Sequence, residues 1–151
     1  MSGTGEPTAD VFAPRRRAAS SILPIVAVVA VGGSLGAVAR YLAGQWWPSA
    51  PGTLPVTTLL INVVGCGALG ALMVVLAERW PQRRLVRPLL GTGVLGGFTT
   101  FSAYAVDLQH LATGGRLAVA AIYLVATPVL ALVAAVLGTR SARALLTRRS
   151  R

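Results

Sequence analysis

The sequence predicts an all-α membrane protein of four transmembrane helices, the third broken at mid-membrane, and three observations carry that prediction. Charged residues make up 12% of the chain against 54% hydrophobic, and the mean hydropathy is +0.69. A soluble domain carries about 25% charge. The apolar residues gather in four long runs, each close to the ~20 residues that cross a hydrocarbon core at 1.5 Å per residue. The third run is interrupted by Gly96-Gly97-Phe98-Thr99-Thr100-Phe101-Ser102.

The elements follow in order. Residues 1–20 are rich in Gly, Pro, Ala and charge, without apolar periodicity, and are expected to be a disordered cytoplasmic tail. The first span, about 21–42, is uncharged until Arg40-Tyr41 at its end, and Trp46-Trp47-Pro48 supplies an aromatic belt and a stop. It follows three arginines as a signal peptide would. It is nevertheless longer than an ordinary signal core, lacks a clear A-x-A site and precedes three more such runs, so a retained helix is expected. The second span covers about 56–77 and closes at Glu78-Arg79-Trp80-Pro81. The third covers about 86–111, and the fourth 117–139 after the turn Thr113-Gly114-Gly115-Arg116. Residues 140–151 form a basic cytoplasmic tail, helical or frayed. One four-helix domain, 21–139, is the expected unit.

All 14 basic residues are arginines, against 4 acids, for a net charge of +10. They punctuate apolar runs instead of covering a polar surface, which argues against nucleic acid as a partner and for contact with anionic lipid. With four spans, both termini and the middle loop share one side. That side holds twelve arginines, and the other holds Arg40 and Arg116. The positive-inside bias therefore puts both termini in the cytoplasm of a multi-pass protein of the cell membrane.

Four helices packed 8–10 Å apart enclose little more than their own side chains, so a transport path calls for a second subunit. Gly32-x-x-x-Gly36, Gly67-x-x-x-Ala71 and Gly93-x-x-x-Gly97 are spacings that admit close helix contact. Any one of them is common in a membrane helix; three in three spans point to tight, oligomeric packing. The lone Cys66 excludes an internal disulfide and reads as a small side chain in an apolar run.

Polar groups fall at membrane depth in three spans: Thr57, Thr58 and Asn62; Thr99, Thr100, Ser102, Tyr104 and Asp107; Tyr123 and Thr127. Such groups need partners or a wet path. Hydroxyls and amides hold an anion less tightly than a fixed cation would, which suits conduction. They serve equally to link helices by hydrogen bonds; for Asn62 the two roles weigh about the same. Tyr123 and Thr127, four apart, share a face. Two glycines before two threonines make a poor helix interior, each glycine costing about 1 kcal/mol against alanine. Carbonyls freed there are tolerated only within protein or at an ion-filled site. Phe101 and Tyr104 follow on one face, and aromatic edges carry positive partial charge. Taken by itself, such an aromatic pair is more often core packing.

These residues resemble the fluoride channel family (Fluc, also called CrcB) from about Ile25 to Leu137. Three motifs in order carry the resemblance: Gly32-Gly33-Ser34-Leu35-Gly36-Ala37-Val38-Ala39-Arg40-Tyr41, Thr58-Leu59-Leu60-Ile61-Asn62-Val63-Val64-Gly65, and Gly91-Thr92-Gly93-Val94-Leu95-Gly96-Gly97-Phe98-Thr99-Thr100-Phe101-Ser102. The resemblance implies an antiparallel dimer with two fluoride-selective pores that passively export cytoplasmic fluoride. It also implies a structural sodium ion at the dimer centre, held by main-chain oxygens of Gly96 and Thr99. By the same resemblance Asn62 and Phe101 are pore groups, Ser102, Tyr123 and Thr127 line a polar track, Asp107 sits near a pore end, and Arg40 closes the first span. Two departures stand out. Tyr104 replaces a usual phenylalanine and adds a hydroxyl, and Thr57-Thr58-Leu59 replaces Gly-Thr-Leu at the start of the second span. The arginine bias is also uneven for a chain that must insert both ways, so an oppositely oriented homologous subunit is the expected partner.

Two other readings compete. A small antiparallel multidrug exporter would need an embedded carboxylate, and the first span has none. A non-transporting assembly protein explains the arginines but not the broken third span. An enzyme is not expected: His110 is the single histidine and has no paired nucleophile.

Overall fold

The computed structural model describes residues 15–149, with the side chains of 22–148. It is helical throughout, with no strand among the described residues. Helix α1 spans Arg15–Trp46, α2 Val56–Arg79, α3 Gly96–Phe98, α4 Ser102–Thr113 and α5 Leu117–Arg149. A π-helix, Arg87–Leu95, leads directly into α3. Four stretches are long and apolar enough to cross a membrane: Ile22–Trp46, Val56–Arg79, Arg87–Thr113 and Leu117–Arg148.

The punctuation is readable in the residues. Pro48 stops α1, since proline disfavours helix in the residue before it. Gly52 turns the chain at φ +74°, a conformation glycine reaches without strain, and Thr53 Oγ1 donates to the Ala50 carbonyl at 2.7 Å. Pro55 precedes α2, and Pro81 follows it. Gly115, also at φ +74°, reverses the chain between α4 and α5.

Helices overrun the expected spans at their arginine-bearing ends. The expected disordered tail, 1–20, lies outside the described residues except for Arg15–Ser20, which form the first turns of α1. The expected basic tail from Arg140 continues α5 to Arg149 without a break, and the residues beyond it are outside the described chain. Arg, Ala and Leu are good helix formers and no breaker stands among them.

The helices pair off. α1 lies along the π-helix and α3, while α2 lies along α5, and α4 rests on α5. Among the described residues α1 makes no close contact with α4 or α5. The chain is therefore an open assembly of two helix pairs, not a closed bundle. The predicted small-residue spacings are used inside the chain: a Cβ on Gly32 would meet Leu89 and Val94, one on Gly36 Val94 and Phe98, and one on Gly97 the Gly33 backbone. On the other pair, a Cβ on Gly138 would meet Gly67 and Ala71. These seams join helices within the chain.

Burial is inverted relative to a soluble protein. Leu23, Val31, Ile122 and Leu132 are exposed, whereas Asn62 and Thr127 are buried together with Tyr104 and Tyr123. A hydrocarbon surround stabilises exposed apolar side chains and leaves polar ones to find each other inside.

Candidate functional site

The site forms where α2 and α5 face the gap in the third stretch. Helix α3 ends at Phe98, Thr99 is extended (φ −72°, ψ 156°), and α4 begins at Ser102. What releases the chain from helical bonding is a set of side chains that take over backbone groups. Asn62 Nδ2 donates to the Thr100 carbonyl at 2.9 Å, and the Thr100 amide donates to Asn62 Oδ1 at 2.8 Å. The amide that a helix would aim at the Gly96 carbonyl is thereby turned away. Likewise the Ala103 amide donates to Thr100 Oγ1 at 3.1 Å, capping α4 and leaving the Thr99 carbonyl without its helical donor. The Gly97 carbonyl receives Arg40 Nε at 3.2 Å, from the far end of α1.

An open groove of about 370 Å³ lies over this gap, and its lining includes Asn62, Gly96, Thr99, Thr100, Phe101 and Thr127. A second recess of about 430 Å³ lies between α1, α2 and α4 and takes in Arg40, Thr58, Thr100 and Asp107. Thr100 belongs to both. Asp107 also borders a third recess, of about 550 Å³, with His110 and Arg116. Thr100 and Asp107 thus join three hollows that run along one side of α4.

Three rings stack along this side. Phe101 and Tyr104 have centroids 5.5 Å apart, and Tyr104 and Tyr123 5.2 Å, both pairs tilted by 50°. Phe101 is 78% exposed and lies at the mouth of the first groove, whereas Tyr123 is fully buried. The Tyr123 hydroxyl donates to Asp107 Oδ2 at 3.3 Å. Tyr104 has a different partner, the Leu124 carbonyl at 2.8 Å. In a regular helix that carbonyl would accept the amide of residue 128, but Pro128 has none. The phenol fills the vacancy left by the proline.

Thr127 is the exception to this economy. Its side chain is 4% exposed and neighbours Tyr123, yet no partner stands in hydrogen-bonding geometry with Oγ1. A buried hydroxyl without a bond costs about 1–3 kcal/mol, so one at a groove wall is suited to a ligand that can accept a hydrogen bond.

Most sequence-predicted site residues converge here. Asn62, Gly96, Thr99, Phe101, Tyr104 and Thr127 share the first groove, and Asp107 and Arg40 share the second. Ser102 lies beside the first groove, its hydroxyl 3.2 Å from Thr100 Oγ1, and Tyr123 is sealed behind Tyr104. Sequence reasoning missed the central part of Thr100 and the part of Pro128. The signals were a threonine two residues ahead of a helix start, a capping position, and a proline inside an apolar run. Among the described residues no group of three His, Cys, Asp or Glu could hold a metal.

The family model of the CrcB-like protein, Camphor Resistance (CrcB), matches residues 27–139. The chain is 53% identical over 134 residues to the fluoride-specific ion channel FluC 1 of Streptomyces coelicolor, covering 89% of this chain and 87% of that relative. It is 54% identical over 125 residues to FluC 2 of Streptomyces avermitilis, with 82% and 79% covered. To FluC 2 of Nocardia farcinica it is 47% identical over 119 residues, with 79% and 85% covered.

Proposed function

The chain belongs to the CrcB-like, Camphor Resistance family, a family of channels and not of enzymes, and on that premise we propose that it is one subunit of a fluoride-selective channel. Fluoride would pass from the cytoplasm down its gradient, which lowers its toxicity. The observation that supports this reading most is Thr127 in the wall of the groove over the interrupted third span, its buried hydroxyl beside Tyr123 and without a partner in bonding geometry. A donor of that kind, beside the edge of Phe101 and the remaining N–H of Asn62, offers a small anion hydrogen bonds without a fixed positive charge.

In this reading the interruption lies at mid-membrane, and fluoride moves past Asn62, Phe101, Ser102, Tyr104, Asp107 and Thr127, with Tyr123, fully buried behind Tyr104, backing the path instead of lining it. Tyr104 contributes a ring edge only, because its hydroxyl is committed to Leu124. Tyr123 and Asp107 hold each other at the next turn. Arg40 is structural and braces the Gly97 carbonyl.

The open groove and the exposed Phe101 favour a second subunit inserted the other way up, so that the two third spans meet. The carbonyls of Gly96 and Thr99, relieved of their helical donors, are oxygens of the kind a hard cation prefers. They fit a structural sodium ion at the dimer centre, which would neutralise carbonyl dipoles crowded at the axis. The arginine bias favours a fixed orientation with both termini cytoplasmic, and hence an oppositely oriented homologue as partner.

Efflux from liposomes tests the reading. The purified chain, alone and together with an oppositely inserted homologue, is reconstituted with fluoride or with chloride inside. Fluoride efflux without chloride efflux is expected, and Thr127→Val should slow it about tenfold, the equivalent of one hydrogen bond to a charged group. No fluoride efflux in either preparation overturns the channel reading. Full efflux from the chain alone overturns only the need for a homologous partner.

A further inference from the structure

Another hollow lies away from the proposed fluoride path, at the arginine-rich ends of α2 and α5. Gly67 and Gly138 bring the two helix backbones into contact, and beyond that point a recess of about 680 Å³ opens between them. Its walls are apolar, with Val75, Ala142, Leu145 and Leu146, and its rim carries Arg79 and Trp80. On the other side of the Trp80 ring a smaller recess of about 280 Å³ is edged by Arg83, Arg84 and Arg87. The Arg83 guanidinium lies over that ring at 5.5 Å from its centroid. The indole therefore divides an apolar slot from a cluster of guanidinium groups.

The lengths of the helices place this arrangement at the edge of the bilayer. Helix α5 has 33 residues, about 50 Å at 1.5 Å each, whereas the hydrocarbon core is about 30 Å thick. Its last turns, with Arg140, Arg143 and Arg148, reach past the core, and tryptophan is typical of that boundary. Glu78 is the single acid from the end of α2 to the start of the π-helix. An occupant must be apolar along its length and anionic at its end.

We propose that this recess binds an anionic phospholipid, with one acyl chain against Val75, Leu145 and Leu146 and the phosphate held by Arg79 and Arg83. Guanidinium forks match phosphate oxygens in pairs, and basic pockets between membrane helices suit such headgroups. The charge of the rim selects the headgroup and the slot selects the chain, so neither a soluble phosphate nor a neutral lipid meets both demands.

The chain has three tryptophans, so Trp46→Phe with Trp47→Phe leaves Trp80 as the only indole. This variant is reconstituted in phosphatidylcholine vesicles doped with phosphatidylglycerol or phosphatidylcholine brominated on its acyl chains. Brominated phosphatidylglycerol should quench Trp80 several-fold more strongly than brominated phosphatidylcholine at equal mole fraction. Adding Arg79→Gln and Arg83→Gln should abolish that preference while fluoride efflux stays unchanged. Equal quenching by the two lipids overturns the proposal without any further variant. So does quenching by neither, which would mean that protein covers the slot, and so does a preference that survives loss of both arginines.

Discussion

The glycine seams and the surroundings of the gap hold together by different means. Where α1 meets the π-helix and α3, the seam consists of missing side chains: Gly32, Gly36, Gly93 and Gly97 let backbone touch backbone. Around the gap, the joint consists of side chains that reach for backbone, with Asn62 of α2 on Thr100 and Tyr104 of α4 on Leu124, while α2 and α5 themselves touch through Gly67 and Gly138. Lipid tails are as apolar as leucine, so helices in a bilayer gain nothing from hiding leucines from one another. Close dispersion contact and hydrogen bonds are the two remaining forces, and this chain relies on the first along its helix pairs and on the second around the gap. A glycine seam has no polar group to spare for an ion. The polar joint, braced by its neighbour, can keep the Thr127 hydroxyl unbonded.

Substitutions can break this contrast, the strongest at the glycine seam. A Cβ at Gly36 would press on the Val94 carbonyl and the Phe98 amide, whereas a Cβ at Gly33 meets nothing within 4 Å. Gly36→Ala should cost about 3 kcal/mol or more, because backbone on both sides must move, and Gly33→Ala close to nothing. Thermal unfolding in detergent reads the difference, and equal losses for the two would mean that the seam is not what holds α1. Next comes Asn62→Ala. It strips Thr100 of a donor and an acceptor together and should cost about 2–4 kcal/mol, and fluoride efflux should fall along with the melting temperature. Normal efflux from a stable Asn62→Ala protein would detach the asparagine from the path. The smallest effect sharpens the contrast. Tyr104→Phe keeps the ring but leaves the Leu124 carbonyl bare, for about 1–2 kcal/mol of stability, while efflux should stay near that of the parent.

Some of this was written plainly in the chain. The starts of α2 and α5 fell where Pro55 and Gly114-Gly115 mark them, because proline and glycine act locally. Helix ends at Arg79 and Arg149 ran past the expected boundaries, since hydropathy falls at the first charge and the helix does not. The small-residue spacings were legible as one-sided faces. Which helix each face met was not, because periodicity fixes a direction around one axis and says nothing about the neighbour. The same limit governed the site: Asn62, Tyr104, Tyr123 and Thr127 were conspicuous as polar groups in apolar runs. Their partners are main-chain atoms of other elements for Asn62 and Tyr104, the Asp107 carboxylate for Tyr123 and, for Thr127, none in bonding geometry, and no spacing reveals that.

Pro128 and Tyr104 lie 24 positions apart and make sense only together. The proline leaves a carbonyl of one helix without its donor and the phenol of another supplies one, so the two positions are structurally coupled. A chimera that takes its α5 from a relative lacking the proline would leave the phenol competing with a complete helix ladder. One that takes α4 from a relative with phenylalanine would strand the carbonyl. Transplanting either aromatic residue or helix between channels of this kind therefore succeeds as a pair, and an aromatic substitution that is harmless in one background is costly in another.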